Sequence, residues 1–453
     1  MLEKITEFRV QNFKSLKDVK IKLRKFNLLV GRNATGKTSV IEAFKLFREL
    51  SRRLDFSFFN PFYEWGGYQN VVWRGQEELP ISVGYKARID GYDVYYEIYV
   101  TGFGGRFEIL RESIDISGVV NVMIEGNKLI VKHDPKFIEN VWDKVKKASL
   151  VFAPSPFTKL DKVKLDDKDI IIYQKYELEE QRRILGWSAT YSEDIALVTP
   201  HVPIKNGGIP TIISPTIREK VKVRHGFDIK EEFSITPLIT HITSIPVRPM
   251  IILRQLNFRD IRNPQPVKKE IMLMEDGSNL ANVLHTIYTE RGGIPHRIQR
   301  VLRSIFGNVE IGLEITPDGR VFVKVYENGY PLHPRVVSDG FWKVLAILAA
   351  IELEPPIILI DELENSLHPE AIEYIVNELK NSNSIVIATT HSPAVVDIVD
   401  PEDLILFEKD REGKTVIKKV KDAGSVKRWL AEQGITLSEG WLYGEIFQHT
   451  NTY

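Results

Sequence analysis

Residues 31–39 have the types and the spacing that a phosphate-binding loop requires. The stretch GRNATGKTS follows the apolar run 26–30 and fits G-x-x-x-x-G-K-[ST]. Glycines let the backbone approach phosphate oxygens, the amides of Asn33 to Thr38 can form an anion nest, and a helix beginning near Lys37 adds its positive end. Lys37 is expected to bridge the β- and γ-phosphates, and Thr38 to ligate Mg²⁺. We therefore predict a nucleoside triphosphate site made of Gly31, Arg32, Asn33, Ala34, Thr35, Gly36, Lys37, Thr38 and Ser39.

A second apolar run ends in two carboxylates, in PPIILIDELENSLHP, residues 355–369. A buried parallel strand places such residues at its carboxyl end, where open α/β sheets bind ligands. We expect Asp361 in the Mg²⁺ shell and Glu362 as the group that orients or deprotonates the attacking water, with Glu364 as the next acid to consider.

One strand later, in SIVIATTHSP, His391 follows the apolar run 385–388. An imidazole at this strand end can hydrogen-bond the γ-phosphate, and we predict that role for His391. The alternative is an ordinary surface or core histidine.

These side chains need elements that bring them to one edge of a sheet. Residues 4–31 predict three short strands, followed by the loop and a helix to about residue 51. Alternating apolar residues over 80–133 predict an antiparallel meander. The remaining signals indicate helices at 136–149 and 168–185, a strand at 250–257, helices at 278–291 and 294–306, a hairpin at 309–326, and a helix–strand–helix–strand order after 339, which is typical of an α/β fold.

Composition narrows the class of protein. Among 453 residues, Lys+Arg and Asp+Glu are both 61, so a nucleic-acid site must be a local patch. With no cysteine, disulfides, thiolate catalysis and cysteine zinc hooks are excluded. Charged Glu3 and Lys4 give no sign of a secretory signal, and the apolar stretch 344–360 is interrupted by acids and prolines. We expect a cytoplasmic protein that does not span a membrane.

The ordered motifs resemble the ATP-binding cassette ATPases, in the branch that contains SMC, RecF and OLD-type proteins, and a subfamily of predicted archaeal and bacterial AAA-type ATPases. The resemblance covers about residues 1–76 and 250–400. It is carried by ITEFRVQNFKSLKDVKIKL, FNLLVGRNATGKTSVIEAF, NFRDIRNP, EDGSNLANVL, VVSDGFWKVLAILAAIEL, DELENSLHP and TTHSP. It implies a P-loop NTPase of ABC-ATPase type that hydrolyses ATP with Mg²⁺. The expected domains are a first ATPase lobe with an antiparallel β subdomain (1–135), an α/β insertion (136–245) and a second ATPase lobe (246–453).

By the same resemblance, Ser338, Asp339 and Gly340 belong to a signature segment, with Lys343 at a further motif position. That segment is expected to close over the γ-phosphate held by a second copy of the chain, in an ATP-sandwich homodimer. The resemblance also places Gln76 in the Q-loop, where it would join Thr38 and Asp361 at Mg²⁺. Gln69 is the alternative.

The chain departs from its relatives in two respects. We expect neither the coiled-coil arms of SMC proteins nor, with 62 residues after His391, the nuclease domain of OLD-type proteins. Asp400, Glu402 and Asp403 in that tail would suit either a metal or a turn before a strand at 404–407.

Three functions follow from the resemblance. The first is an ATP-driven switch that passes motion to residues 136–245 and acts on DNA in repair, chromosome maintenance or phage defence. The basic residues Lys14, Lys17, Lys20, Lys22, Arg24 and Lys25 suit either a DNA phosphate surface or an ordinary solvated face. The second is a regulatory subunit that gates a separate nuclease or effector, with the aromatic stretch 54–75 as a docking surface. The alternatives for that stretch are a satellite core under a long loop and an aromatic face near the nucleotide base. The least favoured is the nucleotide-binding subunit of a transporter.

Overall fold

The computed structural model describes residues 4–51, 60–89, 92–117, 120–125, 128–133, 162–165, 169–173, 187–192, 195–200 and 250–452. The chain forms two compact units, residues 1–22 with 46–247 and residues 23–45 with 248–453. It opens with the strands β1 (Lys4–Phe13), β2 (Leu16–Lys22) and β3 (Phe26–Gly31), and helix α1 (Lys37–Ser51) follows. The three predicted strands and the predicted helix are therefore confirmed.

The first unit contains a nine-stranded antiparallel sheet in the order β2-β1-β4-β5-β6-β7-β8-β10-β9. A separate hairpin pairs β11 with β12. The strands after β3 are β4 (Ile81–Ile89), β5 (Tyr92–Thr101), β6 (Glu108–Ile116), β7 (Val120–Glu125), β8 (Lys128–His133), β9 (Lys162–Leu165), β10 (Asp169–Tyr173), β11 (Trp187–Ser192) and β12 (Ile195–Pro200).

Alternation of apolar and polar residues explains the meander. Along β5, Val94, Tyr96, Ile98 and Val100 are buried on one face, as the period of two requires. Tyr85 of β4 lies opposite Tyr96 of β5, and their rings stack at 5.6 Å. The meander predicted for residues 80–133 is confirmed by β4 to β8.

The region after the meander differs from the sequence prediction. Helical signals at 168–185 are wrong over Asp169–Tyr173, which forms β10 and pairs with β8. Its apolar run Ile170-Ile171-Ile172 is β-branched, and β-branched residues favour strands. The helix predicted at 136–149 lies outside the described residues.

Part of the aromatic stretch 54–75 is described, from residue 60 onward. Phe62, Tyr68 and Trp73 are buried, whereas Tyr63 is exposed. Burial raises the pKa of Tyr68 to about 12. The burial of Phe62, Tyr68 and Trp73 agrees with the interpretation of this stretch as a satellite core.

The second unit begins with β3 and the first part of α1 and continues from residue 248. Its other strands are β13 (Ile251–Leu253), β14 (Gln265–Pro266), β15 (Val309–Ile315), β16 (Arg320–Glu327), β17 (Tyr330–Leu332), β18 (Ile357–Ile360), β19 (Ile385–Thr390), β20 (Leu404–Lys409), β21 (Thr415–Val420) and β22 (Thr450–Thr452). Its helices are α2 (Phe258–Ile261), α3 (Leu280–Arg291), α4 (His296–Phe306), α5 (Asp339–Glu352), α6 (Pro369–Asn381), α7 (Pro393–Asp397), α8 (Ala423–Gln433) and α9 (Leu437–Leu442).

A seven-stranded mixed sheet organises this unit, in the order β13-β18-β19-β3-β20-β21-β22. Neighbouring strands from β13 to β20 run parallel, and β20, β21 and β22 pair antiparallel. Every residue of β3 and β18 is buried, which explains why both strands are continuous apolar runs in the sequence. Because parallel strands end at the same edge, the residues that follow β3, β18 and β19 come close together.

Helix α5 packs against α3, α4 and α6 and is buried from Phe341 to Glu352. Strands β14 to β17 form a smaller antiparallel sheet, which confirms the hairpin predicted at 309–326. The predicted α/β class, a mixed sheet with an antiparallel β subdomain, is confirmed. Residues 23–45 belong to the second unit because β3 lies between β19 and β20 in its sheet. The division into domains at 1–135, 136–245 and 246–453 stays a prediction.

Candidate active site

The phosphate loop is a tight turn between β3 and α1. Ala34 and Gly36 adopt left-handed backbone conformations, with φ of 62° and 106°. A Cβ on Gly31 would lie 2.4 Å from the carbonyl oxygen of Phe407, so a larger residue does not fit there. Thr415 Oγ1 donates to the carbonyl of Thr35 at 2.8 Å and ties the loop to β21. The loop backbone is thus held in one shape, while the side chains of Arg32 and Asn33 are exposed.

Lys37 is buried at the first position of α1. Its Nζ donates to the carbonyls of Gly31 at 2.7 Å and Arg32 at 3.1 Å, which holds the ammonium beneath the loop. Burial lowers the pKa of Lys37 to about 8, and the nearby carboxylates of Asp361, Glu364 and Glu362 partly offset that effect. An anion bound by the loop would add the negative charge that this desolvated ammonium lacks.

Thr38 and Asp361 meet across the sheet edge. Thr38 Oγ1 lies 3.4 Å from Asp361 Oδ1, and Thr389 Oγ1 at the end of β19 donates to the same carboxylate oxygen at 2.6 Å. Arg254, directly after β13, has its Nε 3.5 Å from Asp361 Oδ2. A hydroxyl beside a carboxylate is the oxygen donor set that Mg²⁺ prefers, so these residues fit that ion.

Glu362 stands in a strained conformation, because its φ of 52° is left-handed and it is not a glycine. Its N–H donates to Thr389 Oγ1 at 2.8 Å, and its carbonyl accepts from Lys343 Nζ at 2.7 Å. The side chain is exposed, and its Oε2 accepts from Asn365 Nδ2. The carboxylate therefore faces outward while its backbone is fixed from two sides.

His391 follows β19 and has an exposed side chain. Its N–H donates to Glu364 Oε1 at 2.7 Å, and Thr390 Oγ1 donates to Glu364 Oε2 at 2.8 Å. Glu364 thus joins the segment that carries Glu362 to the segment that carries His391.

Ser338 forms the N-cap of α5, and its Oγ accepts from Phe341 N–H at 3.3 Å. Arg262 pairs with Asp339 and donates to the carbonyl of Val337 at 2.8 Å. Ser338 and Asp339 are exposed. The predicted signature segment is therefore a capped helix start whose first residues are exposed.

The two candidate Q-loop glutamines, Gln69 and Gln76, belong to the first unit, whereas the residues described above belong to the second. Gln76 is exposed, and its N–H donates to the carbonyl of Trp73 at 3.0 Å. Gln69 is also exposed. Nothing within the first unit separates the two candidates, and their assignment stays a prediction.

The acidic residues of the tail are engaged in ion pairs. Asp400 pairs with Lys427 at 2.7 Å, Asp403 with Lys380 at 2.9 Å, and Glu402 with Arg24 at 2.9 Å. The hydrogen bond from Lys427 lowers the pKa of Asp400. Among the described residues, no group of three or more His, Cys, Asp and Glu side chains is arranged to hold a metal ion. The ion pairs of these three acids agree with the interpretation of the segment as a turn before β20.

Arg254 and Thr389 carried too weak a signal for assignment from sequence, and Lys343 was placed only by the resemblance, without a contact. Arg254 follows β13, and Thr389 is the last residue but one of β19. A polar residue at the carboxyl end of a parallel strand is the signal that could have identified them. The partner of Lys343 is the backbone carbonyl of Glu362, and no pattern of side chains encodes such a contact.

The chain matches two protein families and is similar to solved structures. Residues 4–231, half of the chain, match the family described as AAA ATPase domain. Residues 242–397 match the family described as AAA domain, putative AbiEii toxin, Type IV TA system. No curated protein matches the chain.

Solved structures of SMC heads are among those similar to the chain. One is an SmcHead bound to the C-winged helix domain of ScpA, at 11% identity and a TM-score of 0.48, covering 91% of this chain and 96% of that chain. Another is the SMC head domain from Thermotoga maritima, at 12% identity and a TM-score of 0.40, covering 92% and 100%. A third, an Smc head domain with an extended coiled coil bound to the C-terminal domain of ScpA derived from Pyrococcus furiosus, has 13% identity and a TM-score of 0.43, covering 95% and 99%.

Proposed function

The chain belongs to the AAA ATPase domain family, and from that premise we propose that it binds ATP with Mg²⁺ and hydrolyses it as a molecular switch. One observation carries the proposal. The phosphate loop after β3, Asp361 and Glu362 after β18, and His391 after β19 stand at the carboxyl ends of adjacent parallel strands. Ligands bind at that edge in α/β sheets.

Each residue has a role that its surroundings support. Lys37 and the amides of residues 33–38 hold the phosphates, and Ser39 extends the first turn of α1. Thr38 and Asp361 would supply oxygen ligands to Mg²⁺, and the assignment of Gln76 or Gln69 to the Q-loop stays a prediction. When bound, the ion would neutralise charge that develops on the phosphates during hydrolysis.

Glu362 would act on the water molecule that attacks the γ-phosphate. Its side chain is exposed, and Asn365 orients one of its carboxylate oxygens, as a general base requires. His391 would hydrogen-bond the γ-phosphate, from a backbone position that Glu364 holds. Glu364 itself is less suited to act as the base, because both of its oxygens accept hydrogen bonds from residues 390 and 391.

We also propose that two copies of the chain form the ATP sandwich. Exposed Ser338 and Asp339, with Gly340 behind them, would contact the γ-phosphate held by the other copy. Closing and reopening would pass motion to the proposed insertion at 136–245 between the proposed lobes at 1–135 and 246–453. We propose DNA as the molecule on which this motion acts. The described part of the chain contains no helix that could cross a membrane.

ATP hydrolysis by the purified full chain tests the proposal. Phosphate release is measured with and without Mg²⁺ and with and without double-stranded DNA, and Lys37→Ala is compared with Lys380→Ala. Lys37→Ala should bind ATP at least about 100-fold more weakly by calorimetry, since it removes charge-assisted contacts to several phosphate oxygens. Lys380→Ala, which removes a lysine paired with Asp403, should bind as the parent does.

Unchanged ATP affinity in Lys37→Ala would remove the phosphate loop from the proposal. Stimulation of phosphate release by DNA that weakens with salt would support DNA as the client. Hydrolysis unaffected by DNA at low salt would refute that part of the proposal and leave the ATPase intact.

A further inference from the structure

We propose that Lys343 is a positioning residue, which fixes the backbone of Glu362 from the first turns of α5. In this arrangement, the helix start that is proposed to contact a second copy also holds the proposed catalytic acid of its own copy. The inference rests on the proposed function and adds a residue that links its two halves.

The first observation is the hydrogen bond from Lys343 Nζ to the carbonyl of Glu362, at 2.7 Å. The N–H of Asn365 donates to the same carbonyl at 3.1 Å. Both bonds act on Glu362, whose φ of 52° is a strained conformation for a residue other than glycine. Such a conformation persists only when its surroundings hold it, and Lys343 supplies one of the bonds that do so.

A second contact joins the same two segments. Gly340, one turn before Lys343, packs so closely on Ser366 that a Cβ there would lie 2.4 Å from the carbonyl oxygen of Ser366. Ser366 is also left-handed, with φ of 64°. The start of α5 therefore touches both ends of the segment 362–366, and a displacement of the helix start would displace that segment.

The presence of a lysine at position 343 is better explained by a functional role than by packing in the core. Lys343 is 6% exposed, on a helix whose other residues from Phe341 to Ile351 are apolar. Burying an ammonium costs free energy unless it is paired, and an apolar side chain of similar length would pack at lower cost. The groups that face Lys343 are the carbonyl of Glu362 and the carboxylates of Glu364, Glu362 and Asp361. Its ammonium therefore points into the acidic segment where the proposed chemistry occurs.

Hydrogen–deuterium exchange of the nucleotide-free chain tests the contact without relying on catalysis. The parent is compared with Lys343→Met, Lys343→Arg and the control Lys380→Met. Lys343→Met should raise exchange about tenfold in peptides that cover 362–367, because a bond from a charged donor is lost. Lys343→Arg retains a cationic donor and should stay closer to the parent, and Lys380→Met should not change these peptides.

Kinetics on the same proteins separate positioning from binding. Lys343→Met should keep the Kd for ATP within about twofold and lower kcat by about 10- to 100-fold, the loss typical of a misplaced catalytic group. Lys343→Arg should recover part of kcat. Should Lys343→Met not fold, as judged by circular dichroism, Lys343→Gln takes its place, since its shorter amide cannot reach the same carbonyl.

The outcomes distinguish this inference from the proposed function. A parent chain that does not hydrolyse ATP refutes the proposed function, whereas the exchange result still decides whether Lys343 fixes the segment. A parent that hydrolyses ATP, with Lys343→Met exchanging and turning over at the parental rates, overturns the positioning role. Equal losses in Lys343→Met and Lys380→Met would also overturn it, since the effect would then be general destabilisation.

Discussion

Thr389 Oγ1 donates a hydrogen bond to Asp361 Oδ1 at 2.6 Å, and Thr389 Oγ1 itself accepts one from the N–H of Glu362 at 2.8 Å. One side chain at the end of β19 thus orients the proposed metal ligand and fixes the backbone of the proposed base. Residues that orient a metal ligand are often nearly as important as the ligand itself.

We predict that Thr389→Val weakens Mg²⁺ activation by about 10- to 100-fold, because it leaves the carboxylate of Asp361 without this donor. The Mg²⁺ concentration that gives half-maximal hydrolysis is the measurement. Thr389→Ser retains the hydroxyl and is the matched control. If Val and Ser variants require the same Mg²⁺ concentration, the hydroxyl does not position Asp361.

We predict that Glu362→Gln slows hydrolysis by about 10²- to 10⁴-fold while ATP binding changes little. The amide keeps the size of the side chain but loses the basic oxygen, whereas Lys37, Thr38 and Asp361 still hold the nucleotide. Bound ATP should persist, and the closed dimer should accumulate, since a ligand shifts the population towards the state that it favours. Single-turnover kinetics and size exclusion with ATP·Mg²⁺ measure the two effects.

Glu364→Gln is the control for that experiment. This substitution should disturb residues 390 and 391, because both donate hydrogen bonds to Glu364. The variant should retain less bound ATP than Glu362→Gln does. Hydrolysis at the parental rate in Glu362→Gln, together with loss in Glu364→Gln, would transfer the role of base to Glu364. If the parent is already a dimer without ATP, retention of nucleotide through gel filtration replaces the change in size.

We predict that Ser338→Arg leaves ATP binding to the single chain nearly intact and blocks hydrolysis, because the bulky cation obstructs closure of two copies. The substitution also removes the N-cap of α5, which typically costs about 1 kcal/mol. Ser338→Ala removes the same cap without adding bulk, so it should lose less activity. Normal turnover in Ser338→Arg, or a specific activity independent of chain concentration down to the monomer range, would contradict the sandwich.

We predict that the free energy of unfolding depends on pH through Lys343. Burial lowers its pKa to about 8, against an ordinary 10.5, although Glu364, Glu362 and Asp361 oppose the shift. Between these values the unfolded chain binds more protons at this site than the folded chain. The contribution of Lys343 is therefore destabilising below pH 8 and is relieved as the pH rises towards 10.5.

Denaturant titrations of the parent and of Lys343→Met at pH 7, 8.5 and 10 measure that contribution. The stability of Lys343→Met relative to the parent should be highest at pH 7 and should decline by about 1–3 kcal/mol by pH 10. Titration of the other groups largely cancels in this difference. A difference that stays constant with pH would show that Lys343 is not desolvated in the folded chain.

Much of the fold was predictable because its signals are local. The apolar runs before residues 31 and 361 required buried strands, and the alternation over 80–133 required an antiparallel meander; both are present. The same local reasoning failed at Asp169–Tyr173, where an expected helix is β10, because charged residues around a short apolar run suit either structure. Strand neighbours 359 residues apart, such as Asn27 and Val386, are not a local property at all.

For the site, the amino-acid sequence by itself determined which residue types are available for phosphate and magnesium chemistry, from the spacing of Gly31, Gly36, Lys37 and Thr38 and from the acids after β18. The tertiary structure decided how these groups are held. Thr389 lies 28 residues from Asp361, and Lys343 reaches a main-chain carbonyl 19 residues away. Hydrogen bonds to backbone atoms, left-handed residues such as Glu362, and the close approach of Gly340 to Ser366 arise only when separate segments pack, because they depend on distances in space that no local pattern specifies.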